Sequence, residues 1–227
     1  DITVSKKREE QLRLQAAALQ SAANAIVITD LEGHITWINP AFTALTGYTR
    51  EEAIGNKMSL LKSGCHGEAF YKELWDTIFS GHVWQGETQN RHKNGGRYTE
   101  EQTITPVRDE EGRITHFVAI KQDVTERKNH EQQLTYMATH DPLTSLPTRR
   151  VLEDSLKRSV ARASRGTCSS LLFMDLDNFK LVNDTLGHAA GDQVLYKLTR
   201  LLQNMLRTGD LLVRFGGDEF AVLLEGV

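Results

Sequence analysis

One junction occurs twice in this chain. Asp1-Ile-Thr-Val-Ser-Lys-Lys-Arg-Glu-Glu-Gln-Leu12 reads against Asp123-Val-Thr-Glu-Arg-Lys-Asn-His-Glu-Gln-Gln-Leu134, with Asp, Thr, Lys, Glu, Gln and Leu at matched offsets. A boundary that repeats divides the chain: what lies between the copies is one folding unit, and a helix leads away from each. After the first copy Leu12, Ala16, Leu19 and Ala23 keep the spacing of one helical face, so residues 1–20 read as the tail of a preceding repeat and a linker helix.

Between the junctions the pattern is that of a small sheet with short helices. Ala25 to Thr29 is a β-branched run closed by Asp30-Leu-Glu-Gly33, and Ile35 to Asn39 resumes the strand pattern, which makes a hairpin ending at Asn39-Pro40. Thr49-Arg-Glu-Glu52 is a capping box. Phe70, Tyr71, Leu74, Trp75, Ile78 and Phe79 form an apolar helical stripe ended by Gly81, either core or one wall of a pocket. Three strands follow, Val83 to His92, Arg97 to Arg108 and Arg113 to Asp123, with turns at Asn94-Gly95-Gly96 and Asp109-Glu-Glu-Gly112.

After the second copy a polar helix with Leu134 and Met137 leads to Asp141-Pro-Leu-Thr144, and another carries Val151, Leu152, Leu156 and Val160. Leu171 to Met174 reads as a buried strand that opens into a polar loop, Asp175-Leu-Asp-Asn-Phe-Lys180. A helix after Gly191 keeps Val194, Leu195, Leu198, Leu201, Leu202 and Met205 on one face. Leu211 to Phe215 and Glu219 to Leu224 flank Gly216-Gly217 as a hairpin.

Two strand ends can therefore bring Asp175, Asp218 and Glu219 together, a crowding that is costly unless a cation neutralises it. Magnesium suits such a set, because it takes one or two carboxylates and completes its shell with water and substrate phosphates. Gly216 and Gly217 leave their amides open to a phosphate. The bland alternative is an acidic turn that is merely solvated.

Composition acts here as a filter. With 27 Lys plus Arg against 30 Asp plus Glu, the net charge of −3 offers no overall basic field for nucleic acid or an anionic membrane. Cys65 and Cys168 make no CxxC and the eight histidines no HExxH, so structural zinc and a disulfide framework lack support and a reducing, cytoplasmic setting is expected. No apolar run approaches the ~20 residues of a membrane span, and the first residues do not read as a signal peptide. Attachment to the inner membrane would need sequence upstream of residue 1.

Residues 21–125 resemble the PAS sensor domain: Asn39-Pro40-Ala-Phe stands at the first helix, Gly47-Tyr-Thr-Arg-Glu-Glu-Ala-Ile-Gly55 after it, and Asp123-Val-Thr at the exit. Residues 141–227 resemble the N-terminal half of the GGDEF diguanylate cyclase domain. The signature stands at 216 to 220, preceded by Arg214, with Asp141-Pro-Leu-Thr144, Phe173-Met-Asp-Leu-Asp-Asn-Phe-Lys180, Asn183-Asp184, Gly187-His188 and Gly191-Asp192 in order. The implied fold class is α+β: a PAS fold, a five-stranded antiparallel sheet with short helices, joined by a signalling helix at 126–140 to a GGDEF nucleotidyl-cyclase-like α/β domain.

The second resemblance implies roles residue by residue. Asp175, the Leu176 carbonyl and Asp218 would hold magnesium ions, with Glu219 beside them assisting metal binding or activation of the attacking hydroxyl. Asn183 and Asp192 would hydrogen-bond the guanine edge, while Phe179 and Lys180 border the triphosphate. The implied reaction condenses two GTP, each 3′-hydroxyl attacking the other's α-phosphate across two half-sites of a homodimer, into cyclic di-GMP with release of pyrophosphate. Arg207-Thr-Gly-Asp210 stands where the family places a product-inhibition site. Ser145 and Thr148 replace the more usual Gly and Asn. Relatives continue beyond this hairpin, so the chain is expected to be one whole sensor with the first half of a cyclase, and as such a fragment it could be inactive.

For the sensed signal, Trp84-Gln-Gly-Glu-Thr-Gln-Asn90, with Tyr98, Thr103 to Val107 and His116 to Ile120, resembles the flavin-binding redox PAS domains of nitrogen-fixation regulators. By that resemblance Trp84 would face the ring of FAD or FMN and Asn90 its polar edge; the alternative leaves Trp84 in the core and Asn90 at a strand end. Met58 stands where light-sensing relatives carry a reactive cysteine, which disfavours adduct chemistry. His66 could ligate haem, but lone histidines are mostly solvated or hydrogen-bonded and haem is disfavoured. The expected function is a sensor-regulated diguanylate cyclase binding GTP and cyclic di-GMP, with no nucleic-acid partner. It would act as a homodimer through its PAS and signalling helices, the PAS ligand state setting the dimer arrangement. The rival readings are a catalytically silent GGDEF domain acting as a GTP or cyclic di-GMP receptor, and a PAS dimerisation module only.

Overall fold

The computed structural model describes residues 2–163 and 168–226. The chain divides into two compact units, Asp1–Asn129 and His130–Val227. Among the described residues no helix is long and apolar enough to cross a membrane.

The first unit opens with α1 (Ile2–Ser21), whose Leu12, Leu14 and Leu19 are exposed. β1 (Ala25–Thr29) and β2 (Ile35–Ile38) form the expected hairpin, its turn held by Asp30 Oδ1 accepting from the His34 amide (2.7 Å). Asn39 then starts α2 (Pro40–Thr46). Its Oδ1 accepts from the Phe42 and Ile26 amides, and its Nδ2 donates to Asn24 O (2.9 Å), so one buried amide caps the helix and fastens it to β1. The capping box at Thr49 starts α3 (Arg50–Ala53), a 3-10 turn follows at Met58–Leu61, and α4 (Glu68–Phe79) carries the aromatic stripe.

β3 (Trp84–Arg91), β4 (Arg97–Arg108) and β5 (Ile114–Asp123) complete an antiparallel sheet of order β2-β1-β5-β4-β3. Its core includes Val27, Ile35, Phe42, Leu61 and Ile78, all essentially without exposed surface, each worth roughly 1.5–3 kcal/mol of burial for the larger side chains. At the exit Val124 is buried, Asp123 Oδ1 accepts from the Thr125 amide (2.8 Å), and Thr125 Oγ1 accepts from the Thr99 amide (2.8 Å). This locks the start of α5 (Thr125–Thr139) onto β4.

In the second unit α6 (Arg149–Ala163), β6 (Ser169–Asp175), α7 (Phe179–Leu186), α8 (His188–Met205), β7 (Leu211–Gly216) and β8 (Glu219–Glu225) follow, with an antiparallel sheet of order β6-β8-β7. Among the described residues β6 pairs with β8 along its whole length. Two expectations are corrected. The polar loop after Asp175 closes within a few residues into α7, and α8 begins at His188, ahead of Gly191. On α8 only part of the apolar stripe is covered: Leu195, Leu198 and Leu202 pack inward, whereas Val194, Leu201 and Met205 are exposed.

Candidate functional site

The hairpin tip of the second unit is built by register. Asp175 at the end of β6 is the direct partner of Glu219 at the start of β8, which places both carboxylates on one face at the end of the sheet. Gly217 turns the chain at φ 51, in the left-handed region, and presents Asp218 at the tip. Behind the turn Arg214 Nε and Nη2 donate to the Gly217 carbonyl (2.9 and 2.6 Å), while Nη1 donates to Asp141 Oδ1 (2.8 Å). The same Asp141 oxygen accepts from the amide and hydroxyl of Thr144 (2.8 and 2.7 Å). Partial burial acts to raise the Asp141 pKa, but the Thr144 and Arg214 hydrogen bonds outweigh it and hold the carboxyl below its ordinary value. Arg214 thus braces the glycine turn against the Asp141-to-Thr144 segment, a link between residues far apart in sequence. Within that segment Ser145 sits at φ 56, the conformation that suits glycine.

Asp175, Asp218 and Glu219 are hard oxygen donors, as is the Leu176 carbonyl, which accepts a long bond (3.3 Å) from the Phe179 amide and keeps a second lone pair. The donor chemistry suits magnesium, but among the described residues the three carboxylates do not all lie within 4.8 Å of one another. Asp175 and Glu219 are exposed and Asp218 half-buried. Among the described residues, the three ligating side chains whose atoms lie within 4.8 Å of one another are Asp30, Glu32 and His34 in the first unit. There Asp30 already bonds His34 as part of the hairpin turn, so that group is accounted for by local structure.

α7 and α8 bring the two guanine candidates together. Asn183 on α7 lies over Gly191: a β-carbon at Gly191 would meet Asn183 Oδ1 at 2.0 Å, so only glycine leaves the Asn183 amide in this position. Asp192 is the next residue, exposed, and lines a surface hollow with Leu143 and Tyr196. Phe179 is half-buried against the cluster of Leu146, Leu195 and Phe220, and Lys180 is exposed. Arg207 Nε donates to Asp210 Oδ1 (3.1 Å) and Nη2 to the Glu225 carbonyl (2.5 Å), so the two residues of the RxxD motif pair with each other.

The first unit encloses a cavity of about 360 Å³ between the sheet, α4 and the segment from Lys57 to Lys62. α4 supplies one wall through Tyr71, Leu74, Trp75 and Ile78. The floor is a buried polar network. Glu100, fully buried, accepts at Oε1 from Thr88 Oγ1 (3.1 Å), Asn90 Nδ2 (2.8 Å) and Lys121 Nζ, and Lys121 also donates to Gln102 Oε1 (2.7 Å). Glu100 Oε2 and the Tyr98 hydroxyl are buried without partners. Burial, then the nearby Glu100 and Asp123 charges, push the Tyr98 pKa far up and keep the phenol protonated.

Asn90 lines this cavity, but Trp84 does not. Trp84 belongs to the core, edge-on to Phe70 (5.7 Å) and over Gly86, as the packing alternative for it has it. His66 Nε2 accepts from the Gln89 amide (2.9 Å) and its ring stacks on Phe70. Met58 does line the cavity. Sequence reasoning missed the Glu100–Lys121 pair. The signal was the alternation Tyr98, Glu100, Gln102, Ile104, which puts a charged residue on the buried face of β4.

Comparison with known families and structures bears on both units. Residues 23–126 match the family described as PAS domain, and residues 138–227 the family described as Diguanylate cyclase, GGDEF domain. A protein of Escherichia coli named probable diguanylate cyclase DgcE is 36% identical over 221 residues, 95% of this chain and 20% of that protein. A protein of Shewanella oneidensis named cyclic di-GMP phosphodiesterase PdeB is 30% identical over 207 residues, 91% of this chain and 24% of that protein. The chain thus spans about a fifth to a quarter of the length of these relatives. A solved structure of an RNA-binding light-oxygen-voltage receptor aligns with 55% of this chain and 36% of its own, at TM-score 0.51 and 29% identity.

Proposed function

The chain is a PAS domain followed by a GGDEF domain, and on that premise we propose that it is the sensing and active-site portion of a diguanylate cyclase. The observation that carries this reading is the braced hairpin Gly216-Gly-Asp-Glu-Phe220, with Asp175 in register opposite Glu219. Two GTP molecules are condensed: the 3′-hydroxyl of each attacks the α-phosphate of the other, a P–O bond forms as the bond to pyrophosphate breaks, and the hydroxyl proton is released. Cyclic di-GMP and two pyrophosphates result.

Asp175, the Leu176 carbonyl and Asp218 would hold magnesium, which when bound neutralises phosphate charge and lowers the pKa of the attacking hydroxyl. Asn183 and Asp192 read the guanine edge, the Asp carboxylate accepting from its ring N–H and amino group. The amides of Gly216 and Gly217 face the phosphates, and Lys180 adds a positive charge beside them. Glu219 stands next to Asp218 and assists metal binding or proton removal. Because each GTP needs a partner half-site, the active form is a homodimer. Ligand in the PAS cavity sets the pairing of the signalling helices and so the facing of the two sites. In Arg207 and Asp210 we place the product-inhibition site; its internal ion pair must open before product can bind.

The flavin expectation does not fit as well. Asn90 lines the cavity, but Trp84 lies in the core and the floor carries a lysine. No step is assigned to a flavin.

The name of the Shewanella relative favours one second reading, in which the GGDEF domain binds GTP or cyclic di-GMP without turnover and governs another domain. One experiment separates the two: full-length protein incubated with GTP and magnesium should yield cyclic di-GMP, and Asp218→Ala should cut the rate about 100-fold or more. Wild-type binding of GTP without product supports the receptor reading, and undiminished activity in the variant removes Asp218 from the site.

A further inference from the structure

We propose that the PAS cavity takes a small organic carboxylate with an apolar body, its carboxylate seated on Lys121. This rests on the reading of the first unit as a ligand-binding sensor. It is independent of cyclase activity.

The hydrogen-bonding capacity of the floor points to the ligand's head. The Lys121 ammonium has three N–H groups, of which two go to Glu100 and Gln102. Gln102 Nε2 spends one hydrogen on Thr88 (3.2 Å) and Asn90 Nδ2 one on Glu100 (2.8 Å), leaving a second on each. These three side chains line the cavity, so three N–H groups of the floor remain for a ligand, beside the open acceptors Glu100 Oε2 and Asn90 Oδ1. A carboxylate head can accept from these N–H groups, and the positive lining selects it over a neutral head.

Charge agrees. The lining holds Lys57, Lys62 and Lys121 against one acid, Glu32. Even with Glu100 behind Lys121 counted, the balance is positive. Lys57 and Lys62 have no carboxylate partner among the described residues, and Lys62 Nζ stands 3.8 Å above the Tyr71 ring, so both are placed to draw an anion in. The remaining wall is apolar, which inorganic phosphate would leave bare but an alkyl or aryl body covers. At about 360 Å³ the cavity is at the small end of ligand sites, roughly 300–1,000 Å³.

The test is thermal unfolding of the whole chain with benzoate or hexanoate against benzamide or hexanamide, which share the body and lack the charge. The acids should raise the melting temperature of the PAS unit saturably and the amides should not. Lys121→Met alone strands the Glu100 carboxylate, so the second arm is the double variant Glu100→Gln/Lys121→Met, which removes both charges. It should weaken acid binding about tenfold or more, and Lys57→Gln/Lys62→Gln should weaken it a few-fold in a salt-dependent way. Equal responses to acid and amide, an undiminished response in the double variant, no response to either acid up to millimolar concentration, or a flavin spectrum in the purified protein would each overturn the proposal.

Discussion

Arg214 joins two stretches of sequence with one guanidinium, the Gly217 turn and Asp141. A lysine could not make these contacts at once, because it lacks the planar fork. The partner carboxylate gives the brace a pH dependence. Asp141 is depressed in the folded state, so its contribution is fully present above the unfolded carboxylate value of about 3.9 and is lost as pH falls through the folded value. Asp141→Asn should therefore cost about 1–2 kcal/mol near pH 7, and the gap to wild type should shrink below about pH 4. Circular dichroism of denaturant unfolding at stepped pH would check this. A gap that stays constant to pH 2.5 would show that the charge on Asp141 is not what holds the turn.

At the scale of elements, the proposed guanine contacts rest on the helical pair α7 and α8. Gly191→Ala would drive a β-carbon into Asn183 Oδ1 and swing that side chain away, although alanine is the better helix former by about 1 kcal/mol. The expected result is a fold at least as stable, with KM for GTP raised about tenfold, the equivalent of one lost hydrogen bond. Enzyme kinetics with a parallel melting curve separates the two effects. This pair also shows what the sequence did and did not disclose. The hairpins were legible because Asp30 to Gly33, Asn94 to Gly96 and Gly216-Gly217 are turn chemistry, local by nature. The helix from Phe179 to Leu186 was hidden because it is short and follows a polar turn with Asn178 at φ 60. The paired Glu100 and Lys121 were hidden for another reason: which face of a strand meets a cavity depends on partners distant in sequence.

At the scale of the molecule, each unit has its own core: Val27, Phe42, Ile78 and their neighbours in one, Leu146, Leu195, Leu212 and Phe220 in the other. Heating should therefore give two unfolding transitions. A carboxylate probe should move the PAS transition and GTP with magnesium the other, measurable by calorimetry; a single transition shifted by both ligands would contradict this. The exit of the first unit's sheet into α5 is built from very little. It is made by an Asp carboxylate, a buried Val and a Thr hydroxyl, and it asks of the sheet only a peptide group at the place of Thr99. A coupling with so few requirements is portable, and the Asp-Ile-Thr at residues 1 to 3 repeats its pattern. A lineage that carries such exits can exchange one receiver for another as a cassette, trading the first domain while the one downstream stays as it was.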